Sequence, residues 1–417
     1  MPNSHNTFQF DAPNPALTAW LEAVHPITGS ERVAWSEAHG RILAEPIRTD
    51  RPSPPCSVSA MDGYAVRLAD IAPGKTLTVA GEVRIGHEPP PMPNLPGSAL
   101  RIVTGAPVPD EADLVIKRED VNESDSTRIA LPEDCSTFTA CLHIRTKGEN
   151  APAGAEVVAA GAGITSPIVA ALTGFGIAKP TVMPRLKVAI LTTGDELLPV
   201  EGCPSPWQIR DSNGPSLRAL VESQRWMTVQ TQQHVADQQE ALTQRLAEAV
   251  AECDAVLLTG GVSMGNYDFV PAAVQAVGGR IVFHKLPIRP GKPILAAVGA
   301  GGRPIIGLPG NPVSVLTTAT RLALPVLAKR AGAVGIPTRN APTLVRLADS
   351  ALCDKTLGLW WYRPVRLERD ADPSCPVAHL AETRGSGDFA AIATTDGFVE
   401  IPPNETGPGP RRFWPWQ

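Results

Sequence analysis

Apolar residues change their spacing twice along the chain. Between residues 185 and 334, continuous apolar runs alternate with stretches in which apolar positions step by three or four, a rhythm of strands and helices. Leu186–Thr193 and Asp254–Thr259 are unbroken runs, as expected of strands buried on both faces. Arg280–His284, Ile294–Val298 and Pro304–Leu308 read as further strands. Helices are expected over Pro215–Gln224, over Asp237–Glu252 with Leu242, Leu246 and Ala249 on one face, and over Pro312–Lys329. Strands alternating with helices predict a doubly wound α/β domain over 185–334.

The flanking regions have a different texture. In the N-terminal region, 1–184, short helices are expected at Pro15–Val24 and Ser36–Leu43. The run R-P-S-P-P-C-S over 51–57 cannot be helical or central strand, because proline removes the amide donor and fixes φ. Evenly spaced short strands follow at Thr76–Ile85, Ala99–Thr104, Asp113–Lys117, Arg128–Leu131 and Cys141–Arg145, so a small β unit is inserted at about 56–145. Residues 146–180 turn small and Gly/Ala-rich. Over 335–417, Thr343–Leu347, Leu359–Leu367 and Gly397–Ile401 predict a small C-terminal β-barrel or β-sandwich. The fold class is therefore multidomain, α/β and β.

Composition narrows the function. A net charge of −5 gives no global attraction to nucleic acid or an anionic membrane, so any anionic ligand needs a local basic cluster. Seven cysteines without a C-x-x-C pair fit a reducing compartment better than a zinc site or a disulfide framework. The first twenty residues show neither a basic start nor an apolar core segment, and no apolar run is long enough to span a bilayer, so a cytoplasmic location is expected.

Ligands of open parallel sheets bind beyond the carboxyl ends of the strands, and the Gly-rich motifs fall there. T-G-D-E-L occupies 193–197, G-G-V-S-M-G-N-Y-D 260–268 and G-L-P-G-N-P-V-S 307–314. Asn311 can cap the last helix, and Pro312 suits its first position. Arg289 and Lys292, with Lys285 nearby, supply positive charge for phosphate or another oxyanion. Asp195, Glu196 and Asp268 are hard oxygen ligands of the kind Mg²⁺ shares with phosphates. Together they describe a metal-assisted site for a phosphorylated substrate. Each also has a plainer reading: a solvated turn for Asp195 and Glu196, and a helix cap for Asp211. Asp237 reads equally as a cap, because Glu240 completes a box-like pattern. The histidines show no ligand spacing and are assigned to the surface.

The order of motifs decides among these readings. S-A-M-D-G-Y-A (59–65), R-I-V-T-G-A-P-V-P (101–109), T-G-D-E-L, L-T-G-G-V-S-M-G (258–265), I-R-P-G-K-P (288–293) and G-L-P-G-N-P-V-S follow one another. In this the chain resembles the MoeA/gephyrin-type molybdenum insertases over about residues 15–400. The α/β motifs are shared with MogA, MoaB and CinA-like proteins, whereas the first two lie outside that domain. The resemblance implies a homodimer that takes adenylated molybdopterin and molybdate, releases AMP with Mg²⁺, and leaves molybdenum on the dithiolene. By matching motif it implies Asp62, Thr104, Glu196 and Asp268 as catalytic residues, with Glu196 and Asp268 as metal ligands; Asp237 is a further candidate metal ligand. Gly260, Gly261, Ser263, Gly265, Arg289, Lys292, Pro309, Pro312, Arg363 and Ser386 would bind pterin and phosphate. It also implies contact with a MogA/MoaB-type protein and molybdoenzyme chaperones, with no nucleic acid or membrane partner.

Four positions depart from the family pattern. R-x-x-G-E-D appears as R-T-K-G-E-N over 145–150, placing Asn150 where an Asp is expected and predicting weaker metal binding or a slower rate. Arg289 replaces a Lys, exchanging a point charge for a planar fork. Val58 replaces an Asn, and Pro364 follows Arg363 where Gly is usual. The alternatives are a MogA-type adenylyltransferase and a catalytically weakened scaffold or carrier.

Overall fold

The computed structural model describes residues 8–262, 268–334, 342–348, 357–368, 376–405 and 409–416. By its internal contacts the chain divides into two compact units. One comprises residues 46–159 and 170–177, and the other residues 1–45, 160–169 and 178–417.

In the larger unit, helix α1 (Pro13–Ala23) has proline in its first turn and buries Ala16, Leu17 and Trp20, spaced for one face. The expected helix at Ser36–Leu43 shrinks to Trp35–Ala38. Gly40, at φ +77°, ends it, and Ile42 and Leu43 form isolated bridges to Gly163 and Val182.

The smaller unit contains a six-stranded sheet of β1 (Gly63–Val66), β2 (Thr76–Glu82), β3 (Ser98–Ile102), β4 (Leu114–Lys117), β5 (Asn122–Asp125) and β6 (Arg128–Ala130), in the order β4-β1-β3-β2-β6-β5. Alternation splits its apolar side chains between two cores: Tyr64 and Val66 face one, and Ala65 faces the other. A helix over Ser166–Gly174 occupies a stretch whose composition alone reads as small and Gly/Ala-rich.

The α/β sheet of the larger unit contains β7 (Leu186–Thr193), β8 (Met227–Val235), β9 (Ala255–Thr259), β10 (Arg280–His284), β11 (Leu295–Gly299) and β12 (Arg303–Leu308), ordered β8-β7-β9-β12-β11-β10. The helices between them are α2 (Asn213–Glu222), α3 (Gln239–Glu252) and α4 (Val270–Ala276). Val188, Ile190 and Leu257 enter one core, whereas Ala189, Leu191, Val256 and Leu258 enter the other, which is why these strands carry no polar face. The chain leaves β7 to one side for β8 and returns on the other as β9, so the strand order reverses between β7 and β9. The T-G-D-E and G-G-V loops leave from these two strand ends.

The predicted helix Pro312–Lys329 is α5 (Pro312–Thr318) and α6 (Leu324–Arg330), joined by a π turn over Ala319–Ala323. Pro325 has no amide to donate back into the preceding turn, and the wider π spacing accommodates that gap. Arg321 on the π turn is buried and bonds Glu400 at 3.0 Å.

The C-terminal region forms β13 (Thr343–Leu347), β14 (Trp360–Glu368), β15 (Val377–Leu380), α7 (Phe389–Ile392), β16 (Gly397–Ile401) and β17 (Gly409–Pro415). Pairing β14-β15-β13-β17-β16 and back to β14 closes a five-stranded barrel around Val345, Leu347, Val365, Val399 and Phe413. Closure decides between the barrel and the sandwich.

Candidate functional site

The smaller unit places one carboxylate by strand register. Antiparallel pairing sets Gly63 opposite Ile102, so Asp62, just before β1, meets the turn just after β3. Thr104 on that turn donates its backbone N–H (2.7 Å) and its hydroxyl (2.8 Å) to Oδ1 of Asp62. A glycine must follow Asp62, because a Cβ at position 63 would lie 1.9 Å from the Ile116 carbonyl oxygen. The two bonds from Thr104, and more weakly the charge of Arg118, hold the exposed Asp62 carboxyl below the usual carboxylate range. Arg118 is itself gripped by both oxygens of Glu123, at 2.7 and 2.9 Å.

Asn150 has a different surrounding from a metal ligand. Its amide oxygen accepts from Arg145 Nη2 at 2.6 Å, and its amide nitrogen donates to Ser53 Oγ at 3.3 Å. Arg145 also donates to Glu149 at 2.6 Å. Asn150 thus helps to hold an arginine.

In the larger unit, the turn after β7 is packed against the β8–α3 connection. Thr193 Oγ1 donates to the Asp237 carboxylate, and the Asp237 amide donates to Asp195 Oδ1 at 3.2 Å. Asp237 therefore does not cap a helix: Gln238 is the N-cap of α3 and makes no side-chain cap bond. Thr193 offers Asp237 a closer donor than the helix amides. Asp211 does cap, accepting from the amides of Asn213 and Gly214 at 2.9 Å each. Gly260, at φ +94°, lets the turn after β9 approach that after β7, because a Cβ there would sit 2.3 Å from the Thr193 carbonyl oxygen. Gly261 accepts through its carbonyl from the Val270 amide at 3.2 Å, which brings the half-buried Asp268 back toward the β9 end. Ser263 and Gly265 lie outside the described residues.

A buried amide links this corner to the next loop. Asn213 donates to Thr259 Oγ1 (3.0 Å) and to the Gly310 carbonyl (2.7 Å), and Thr259 donates to the Pro309 carbonyl (3.1 Å). Pro309 and Gly310 lead into a cleft of about 930 Å³ between the Arg289–Pro293 loop, the start of α5 and the barrel. Arg289, Lys292, Arg363 and Arg384 line it, together with Ser314 and Ser386, and its described lining includes no carboxylate. Lys292 lies 5.4 Å from the Phe8 ring centre and Arg363 4.4 Å from that of Trp361. Asn311, expected as a side-chain cap, instead donates to Ser386 Oγ at 2.9 Å, while the Val313 amide donates to the Ser386 carbonyl. The barrel turn has taken over that end of the helix.

The predicted site residues thus fall into three groups. Arg289, Lys292, Pro309, Arg363 and Ser386 share the cationic cleft; Pro312 does not line it, although its neighbours do. Glu196, Asp237, Gly260, Gly261 and Asp268 belong to the sheet-edge loops. Asp62 and Thr104 form their own pair in the smaller unit. Among the described residues, no three His, Cys, Asp or Glu side chains converge as a metal cage. Sequence reasoning missed Arg384, two residues before Ser386, and Asn213, whose role depends on tertiary partners alone. It also assigned His284 to the surface, whereas that ring is half-buried and bonds a loop carbonyl.

The α/β domain that carries these loops falls in the molybdopterin-binding class. Residues 189–329 match the description "Probable molybdopterin binding domain", and residues 13–176 match "MoeA N-terminal region (domain I and II)". The chain is 33% identical to a molybdopterin molybdenumtransferase of Synechococcus elongatus over 88% of its length and 92% of the relative's. It is 36% identical to that of Haemophilus influenzae, over 76% of this chain and 77% of the relative. A solved MoeA structure from Pyrococcus horikoshii is 26% identical, with a TM-score of 0.79, over 97% of this chain and all of that one. The chain belongs to the MoeA family of molybdopterin molybdenumtransferases. The match over residues 13–176 lies outside the α/β domain, which sets aside the MogA-type reading.

Proposed function

We propose that this chain inserts molybdenum into molybdopterin, taking adenylated molybdopterin and molybdate and releasing AMP. The observation that carries the reading is the cleft with four cationic side chains and no carboxylate in its described lining. Such a lining holds oxyanions by charge and by forked N–H donors, and Arg289 and Arg363 can each bind two oxygens at once. Ser386 adds a hydroxyl, fixed by Asn311. Charge developing on phosphorus and on the departing AMP is neutralised by these groups without a protein nucleophile, the attacking oxygen coming from water or molybdate. Asp62, held ionised by Thr104, is assigned to the same reaction as a carboxylate acting from the smaller unit.

Mg²⁺ commonly takes one or two carboxylates and completes its shell with water and substrate phosphate. Glu196 and Asp268 are our candidates for those carboxylates, with Asp237, whose Oδ1 accepts from Thr193, as the third. Among the described residues no three such side chains converge, so water and substrate phosphate would complete the shell. The protein is assigned to the cytoplasm as a homodimer, with a MogA/MoaB-type protein and molybdoenzyme chaperones as partners. No helix among the described residues is long and apolar enough to cross a membrane.

The test is AMP release from adenylated molybdopterin with and without molybdate. Molybdate-dependent release is expected. Tight pterin binding without release under either condition would replace the insertase with a scaffold or carrier.

A further inference from the structure

The loops after β7 and β9 leave main-chain carbonyls beyond the end of the strand ladders. Pairing of β7 with β8 stops at Thr193 and Val235, and pairing of β9 with β12 stops at Thr259 and Leu308. Gly194, next after Thr193, and Val262, three residues past Thr259, are both buried. The Gly194 carbonyl accepts from the Leu197 amide at 3.0 Å, and both carbonyls also meet a side chain from an edge strand. His234, one residue from the end of β8, brings Nε2 to 2.9 Å from the Gly194 oxygen. His284, the last residue of β10, brings Nε2 to 2.8 Å from the Val262 oxygen.

The arrangement is the same at both margins. Strands β8 and β10 are opposite edges of the sheet, and both histidines stand at the carboxyl edge where the candidate loops emerge. A carbonyl oxygen only accepts, so Nε2 carries a proton in both rings. Gly194 immediately precedes Asp195 and Glu196, and Val262 immediately precedes Ser263. Each imidazole therefore holds a peptide near the root of a loop.

We propose that His234 and His284 are positioning residues for the transfer reaction, fixing the peptides at Gly194 beyond β7 and at Val262 beyond β9 from the two edges of the α/β sheet. The inference rests on the insertase reading for its activity assay, but its geometry is testable without it. Supporting groups of this kind, which orient others that touch the ligand, commonly carry about 10–100-fold of activity.

The experiment compares His284→Gln and His284→Met, and the same pair at His234, in the full chain. Glutamine retains an N–H at similar reach, whereas methionine fills volume without a donor. With the Met variants, kcat for AMP release should fall about tenfold or more, while KM for molybdate stays unchanged because each imidazole bonds a loop carbonyl and no cleft side chain. The Gln variants should remain within about threefold of the parent, following the retained donor. Imidazole ¹⁵N shifts of the parent should show the Nε2–H tautomer at both positions, and amide exchange at Gly194–Glu196 should quicken in His234→Met. Met variants as active as the parent, Gln variants as impaired as Met, or an Nδ1–H tautomer would overturn the proposal. If the parent protein releases no AMP, the insertase reading fails, and the tautomer and exchange measurements still decide the clamp.

Discussion

Replacing Glu400 by Gln should destabilise the larger unit far more than a surface change would. The Arg321–Glu400 bond is 3.0 Å long, and both side chains are 2% exposed. Arg321 also donates to Asn14 Oδ1 at 2.5 Å and lies 4.7 Å from the Trp414 ring centre. In the Gln variant those neutral partners remain, but the guanidinium keeps its charge in a site closed to water. Removing one partner of a buried pair typically costs about 3–5 kcal/mol, because the remaining charge is left uncompensated. Replacing both by apolar residues of similar volume, Arg321→Met with Glu400→Leu, removes the charge problem and should return stability to within about 2 kcal/mol of the parent. The assay is a double-mutant cycle on urea unfolding followed by tryptophan fluorescence, since Trp414 packs on this pair. Strong non-additivity is expected. A single Glu400→Gln variant within 1 kcal/mol of the parent would refute the argument, as would a double variant as unstable as the sum of the two singles, the magnitudes being about those above.

Three further outcomes follow from the site. Thr104→Val removes one of the two donors to Asp62, so the acid limb of kcat/KM should move to higher pH, while Thr104→Ser should leave it in place; a limb unmoved by Val would detach Asp62 from that titration. Arg363→Lys keeps the charge but loses the fork and the packing on Trp361, and its affinity for molybdate, read by calorimetry, should fall about tenfold, a loss of about 1.4 kcal/mol; equal affinity would show that point charge suffices. Burial raises the Tyr362 hydroxyl pKa far above its ordinary value, and the nearby Glu400 charge adds to the effect. The folded state therefore keeps this proton after the unfolded chain loses it. The stabilisation is whole below about pH 10 and drains away as pH rises through the folded value. Tyr362→Phe should flatten that alkaline decline, measured as unfolding midpoint against pH.

What the sequence revealed divides along a physical line. Strand β7 was legible to the residue because a strand buried on both faces must be apolar throughout. Strand β8, M-T-V-Q-T-Q-Q-H-V, was not: an edge strand with exposed positions carries no apolar run, and only its partner β7 makes it a strand. The same holds for Gly409–Pro415, whose Pro- and Arg-rich string gains its strand character from pairing on both sides, to β13 and β16. Closure of the barrel depends on those pairings and could not be read beforehand.

The site follows the same rule with chemistry in place of pattern. Arg289, Lys292, Arg363 and Ser386 lie far apart in sequence, and their motifs announce residue types; the cleft they share comes from the barrel turn docking on the start of α5 through Ser386. Asp237 shows the converse. Its local pattern fits a cap, but a nearby hydroxyl from another strand competes for the carboxylate and wins. Local sequence ranks the bonds a polar side chain can make with its neighbours in the chain, whereas tertiary folding adds donors from elsewhere. A donor that is already held in place costs little further entropy to engage, so it outcompetes a fraying helix end. Misassignment is therefore expected where loops from several strands converge, and the candidate site residues of the α/β domain lie there.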